Sequence, residues 1–190
     1  MIDIKKYWVG SLNLTEYIQT GADRLASAET PAEFREYYEL GHHRTERALK
    51  TFKIDEDELQ KVKNKAFDGK ILIISEPWCG DASATVPAVY TFFETAGIET
   101  RIFLRDNDVE LINQFLTDGT QSIPKVLILN NHFEVINSWG PRPKHGLDLL
   151  KKYKNDPVAY PKDDFYNDLQ VYYAKNRGKD AIAEILELIP

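Results

Sequence analysis

Apolar residues recur at helical spacing near both ends of this chain, and in short unbroken runs through its middle. In the first third, Leu12, Leu14, Tyr17 and Ile18 predict a helix with Ser11 as its cap. Thr30-Pro31-Ala32-Glu33 predicts a second start. There Thr30 caps, Pro31 takes the first helical position and Glu33 closes a capping box. Phe34, Tyr37, Tyr38, Gly41, Ala48 and Leu49 follow at helical spacing. Asp55 opens a further helix through Leu59, Val62 and Ala66, closed by Asp68-Gly69. No strand is expected before residue 70.

The pattern then changes. Ile71-Leu72-Ile73-Ile74 is a continuous apolar run between Gly69-Lys70 and Glu76-Pro77, as in a strand buried on both faces. A helix is predicted from Cys79 to Ala96, ended by Gly97, and a second strand over Thr100 to Leu104. A helix over Asn107 to Leu116 ends at Asp118-Gly119, and Lys125 to Leu129 is a third strand. Asn130-Asn131 supplies turn residues before Phe133, Val135, Ser138 and Trp139, which predicts a hairpin. Gly140-Pro141-Arg142-Pro143 breaks the chain. Helices are then expected over Lys144 to Lys154, from Asp163-Asp164 through Phe165, Leu169, Tyr172 and Tyr173, and after Gly178 through Ile182, Ile185, Leu186 and Ile189.

Between residues 70 and 155, helices alternate with strands and a hairpin follows. That order predicts a parallel pair joined by a helical crossover, with an antiparallel edge. The expected fold class is α/β. Residues 1–67 form an N-terminal helical extension, 68–155 the core, and 156–190 a C-terminal helical extension packed on it. The aromatic stripes Phe34/Tyr37/Tyr38 and Phe165/Tyr172/Tyr173 are read as core packing.

Composition removes several function classes. A net charge of −6 over 190 residues argues against a nucleic-acid partner, which needs a basic face. No run approaches the ~20 apolar residues of a membrane span, so no membrane partner is expected. Met1 to Gly10 lacks the apolar stretch of a secretory signal. Cys79 is the only cysteine and can form no internal disulfide, so the cytoplasm is the expected location. His42 and His43 point about 100° apart on a helix, and no metal site is expected.

Chemistry concentrates at Glu76-Pro77-Trp78-Cys79-Gly80-Asp81-Ala82-Ser83. Cys79 follows a buried strand and stands where a helix starts, and unpaired N–H groups there stabilise a thiolate. Trp78 offers an apolar surface and Gly80 an open approach. Glu76 and Asp81 would oppose the thiolate if aimed at the sulfur. Asp81 is read instead as a favourable first-turn acid, and a moderately activated thiol is expected.

Trp78-Cys79-Gly80-Asp81 resembles the start of the thioredoxin motif Trp-Cys-Gly-X-Cys. Pro87 in the following helix, Ile123-Pro124 before the third strand and Gly140 after the last strand fall where that family carries its own proline, Ile–cis-Pro and glycine. The resemblance covers roughly residues 68 to 155. It implies a three-layer thioredoxin-like sandwich with a four-stranded mixed sheet. It also implies a cis bond at Pro124, which proline alone does not predict. Ile123 and Pro124 would then lie against Cys79, where an extended substrate segment pairs.

Two positions depart from that family. Ala82 replaces the resolving cysteine, and Ile73 stands where thioredoxins carry a buried aspartate. With one sulfur, the chain alone cannot complete dithiol disulfide reduction. Two readings stay open. One is thiol–disulfide exchange or mixed-disulfide handling through Cys79, with Trp78, Gly80, Asp81, Ile123 and Pro124 forming the substrate site. Its partners would be protein or small-molecule thiols and disulfides, and no cofactor is expected beyond a low-molecular-weight thiol as recycling partner. The other is a thioredoxin-fold binding module with a vestigial cysteine. In both, the helical ends are expected to pack over the sheet and narrow access to Cys79.

Overall fold

The computed structural model describes residues 2–190. Asp3 accepts the Lys5 N–H and starts a short helix, α1 (Ile4–Val9), that the apolar spacing does not predict. The next helix, α2 (Leu14–Ala26), is capped by Asn13 rather than Ser11. Asn13 Oδ1 accepts the Glu16 N–H at 2.9 Å, and Glu16 Oε2 accepts the Asn13 N–H at 2.8 Å. Ser11 instead donates its hydroxyl to the Tyr7 carbonyl. The box expected at Thr30 does not form either. The Thr30 hydroxyl turns back to the Arg24 carbonyl, and Pro31 occupies the cap position of α3 (Ala32–Thr51) without a side-chain bond. Asp55 does cap α4 (Glu56–Asn64), accepting from Glu58 N–H. That helix stops before Ala66, whose φ is +49°.

At the centre of the sheet is β1 (Lys70–Ser75), in which Ile71 to Ile74 are all 0% exposed, so both faces are covered. A helix, α5 (Gly80–Thr95), carries Pro87 within it and is followed by Gly97 at φ +82°. It leads to β2 (Thr100–Leu104), parallel to β1 with Ile73 opposite Ile102. The helix expected over 107–116 is shorter. A single 3₁₀ turn at Arg105–Asn107 comes first, and Asp108 then caps α6 (Val109–Asn113) by accepting the Glu110 N–H. Antiparallel to β1 runs β3 (Lys125–Leu129), and β4 (Val135–Trp139) pairs antiparallel with β3, giving the order β2-β1-β3-β4.

The chain closes with α7 (Lys144–Asn155), α8 (Lys162–Asn176) and α9 (Lys179–Leu188). One apolar cluster runs from Ile4, Tyr7 and Trp8 through all four strands to Ile182, Ile185 and Ile189. The segments flanking the sheet therefore share its core. Leu12 exchanges both backbone bonds with Ile102, each 2.8 Å, and so adds a pairing residue outside β2.

Two packings position the site: α3 lies along α5, and α8 packs on both α7 and α5. The α8 aromatics behave as expected, with Phe165 and Tyr173 in a second buried cluster beside Tyr160 and Leu169. The α3 stripe does not. Tyr38 is buried, but Phe34 and Tyr37 are 38% and 57% exposed. Helical spacing puts these residues on one face without saying what lies opposite, and here a cleft does. Among the described residues, no helix is long and apolar enough to cross a membrane.

Candidate functional site

A buried strand ending in Ser75-Glu76-Pro77 must turn before a helix can start, and Cys79 takes the turn as N-cap of α5 with extended backbone (φ −77°, ψ 121°). Its thiol donates to the Ile123 carbonyl at 3.4 Å. The Ile123–Pro124 bond is cis, as is Gly140–Pro141. Cys79, Ile123 and Pro124 are thus brought together, with Trp78, Gly80 and Asp81 around the sulfur. Gly140 crosses this loop closely, since a Cβ there would stand 2.3 Å from the Pro124 carbonyl oxygen.

Trp78 donates its indole N–H to Asp106 Oδ2 at 3.2 Å. The Arg105 guanidinium lies 5.0 Å from its ring and Phe34 meets it edge-on at 6.1 Å. Gly80 leaves room for a side chain as well as for the sulfur: Arg44 Nη1 would be only 3.1 Å from a Cβ at this position. Glu76 turns away from the thiol. It is wholly buried, accepts from Arg24 Nη1 at 2.7 Å and from the Asp106 N–H at 2.8 Å, and its pKa is raised by burial.

Asp81 is the first-turn acid of α5, as expected, but it is also tied into a buried pair that the expectation lacked. It is 9% exposed and its Oδ1 accepts from Arg142 Nε at 3.0 Å and from the Tyr173 hydroxyl at 2.7 Å. Its Oδ2 pairs with Arg142 Nη2. Burial opposes the Arg142 charge, but the Asp81 carboxylate more than restores it, so the pKa of Arg142 lies above its ordinary value. Burial, and then Asp81, keep Tyr173 a neutral donor.

This arrangement reverses the expected activation of Cys79. Its pKa is pushed up to about 11, first by burial and then by the Asp81 carboxylate. The N–H groups of Ala82 and Asp81, and the Arg142 charge, offset only part of that rise. A helix end can lower a thiol pKa where water also reaches it. Here Cys79 is 8% exposed and desolvation wins.

Cys79 forms part of the wall of two hollows. One of about 360 Å³ includes Arg105, Gln121, Ile123 and Pro141. The other, of about 410 Å³, lies between α3 and α8 and includes Phe34, Tyr37, Arg44, Tyr166 and Gln170. The sequence reading missed Arg142, Tyr173, Arg44 and the Phe34/Tyr37 face as parts of this site. Phe34, Tyr37, Gly41 and Arg44 do fall at one-face spacing, and that was the available signal.

The helices over the site are fastened by glycines. A Cβ at Gly21 of α2 would lie 2.9 Å from Pro77 Cβ, and one at Gly41 of α3 would lie 2.4 Å from the Pro77 carbonyl oxygen. Gly41→Ala is therefore expected to lower stability by about 1–3 kcal/mol through overpacking. It should also speed alkylation of Cys79, because α3 must lift away. Urea denaturation and iodoacetamide kinetics on the same variant check both effects.

A family model described as Thioredoxin matches residues 28–154. A search of the curated proteins finds no match. Among solved structures, the chain is similar to a protein of unknown function from Pseudomonas aeruginosa at 16% identity and TM-score 0.67, covering 99% of this chain and 97% of that one. It is also similar to an HIV epitope-scaffold at 16% identity and TM-score 0.56, covering 93% and 97%. At that identity these likenesses speak for the fold alone, and they include the helices that flank the sheet.

Proposed function

We propose that this chain, which belongs to the thioredoxin family, handles mixed disulfides through Cys79. The observation that carries the reading is the placement of the sulfur. Cys79 stands at the N-cap position of α5, its sulfur lies 3.4 Å from the Ile123 carbonyl beside the cis-proline, and the residue borders both hollows. The Cys79 thiolate attacks one sulfur of a disulfide, a Cys79–S–S–R bond forms, and the other half leaves as a thiolate that takes up a proton. Ala82 supplies no second sulfur, so the mixed disulfide persists until an external thiol attacks it and restores the Cys79 thiol.

A thiol with a pKa near 11 is a slow attacker at neutral pH, and also a slow leaving group. The chain thus suits holding a thiol better than fast turnover. The same property favours a second reading, a binding module in which Cys79 is inert. Alkylation rate against pH, together with mass spectrometry after incubation with the neutral disulfide dithiodipyridine, separates the two. The expected result is a rate that climbs until about pH 11, with a stoichiometric adduct at Cys79 that a small thiol removes. No adduct after long incubation at high pH would leave only the binding module.

A further inference from the structure

A third hollow, of about 390 Å³, lies farther along the groove between α3 and α8. Arg44, Arg47, Arg177 and His43 line it, with apolar surface from residues such as Ala84 and Ala174, and no carboxylate is among its lining residues. None of the ion pairs among the described residues uses Arg44, Arg47 or Arg177. In a chain of net charge −6 this is a local reversal of sign. Unpaired guanidiniums round a concavity of this size suit anionic groups.

The hollow adjoins the site. It shares Leu40, Arg44 and Gln170 with the cleft that Cys79 borders, so Arg44 belongs to both. The absence of a side chain on Gly80, next to Cys79, is what leaves room for Arg44 Nη1 on this side. A trough therefore leads from Cys79, past Arg44, to Arg47 and Arg177.

We infer that this trough binds a low-molecular-weight thiol bearing carboxylates, its sulfur at Cys79 and its acid groups at Arg44, Arg47 and Arg177. This rests on the mixed-disulfide reading and names the substrate class for it. Arg44 and Arg47 stand one helical turn apart on α3, and Arg177 ends α8 on the facing side. Separate guanidiniums on two elements suit separate carboxylates on a small body. Exchange with such a disulfide follows the balance already given: one S–S bond is broken, one is formed, and the departing half carries its own carboxylate out with the thiolate.

The test compares two disulfides on full-length protein. Dithiobis-nitrobenzoate carries a carboxylate on each ring, and dithiodipyridine is uncharged at neutral pH. The quantity read is the ratio of their rate constants with Cys79, so a general change in the thiol cancels. In the double variant Arg47→Gln/Arg177→Gln the ratio should fall about tenfold, and in wild type it should fall as salt is added. The double lysine variant should keep most of the ratio. A ratio unchanged by the glutamines overturns the inference. Failure of wild type to react with either disulfide would sink the exchange reading instead. The trough is then judged by calorimetric titration with S-methylglutathione, a dicarboxylate without a free thiol. Weaker binding to the glutamine variant upholds the trough, and equal or absent binding in both proteins overturns it.

Discussion

Gly140→Ala should cost about 2–5 kcal/mol and loosen the site at the same time. Gly140 has φ +115°, where a residue with a Cβ is strained. The added carbon would also stand 2.3 Å from the Pro124 oxygen and 3.3 Å from its carbonyl carbon. Those are backbone atoms, which cannot swing aside as the end of a side chain can. Relief requires the end of β4 to part from the loop that presents Ile123 to Cys79. A loss of this size is a large share of the ~5–15 kcal/mol that holds a domain folded. Denaturant unfolding measures the loss, and the Cys79 alkylation rate, expected to rise, reports the loop. Stability within about 0.5 kcal/mol of wild type would show that the crossing yields, because surface changes fall in that range.

Asp81→Asn is expected to act in opposite directions on stability and chemistry. Arg142, with its side chain 17% exposed, would lose its carboxylate partner. Breaking one side of a buried pair costs about 3–5 kcal/mol. Meanwhile the carboxylate that, after burial, raises the Cys79 pKa would be gone, and Arg142 would act on the sulfur unopposed. Burial is untouched, so the thiol stays weaker than a free cysteine. A fall of about one pKa unit would raise the thiolate fraction, and the alkylation rate at pH 8, about tenfold. Thermal unfolding and alkylation on one preparation give both numbers. A variant that is less stable yet no more reactive would show that desolvation alone sets the thiol.

What the sequence made legible follows the range of each signal. The limits of β2 and β3 were readable because a short apolar run bounded by turn residues is a local statement. Caps were less so. Ser11 and Thr30 have suitable side chains, but each hydroxyl turns back to a preceding carbonyl instead of capping. Asp81 was legible as a first-turn acid, but its partners were not, since Arg142 lies 61 residues away in the chain and Tyr173 lies 92 away. The Cys79 pKa failed for the same cause: helix position is local, whereas burial comes from the whole fold. The thioredoxin-like motif located the sulfur and held Asp81, and the partners that fix Asp81 lay outside the motif.

The pairing of Leu12 with Ile102 has a consequence for the fate of the chain among its own copies. Open strand edges are where β proteins recruit one another. On the β2 side, a segment from the beginning of the chain takes up both backbone bonds of Ile102. The first dozen residues thereby work against self-association as well as adding to the core. Their loss would be felt first as aggregation, well away from the sulfur.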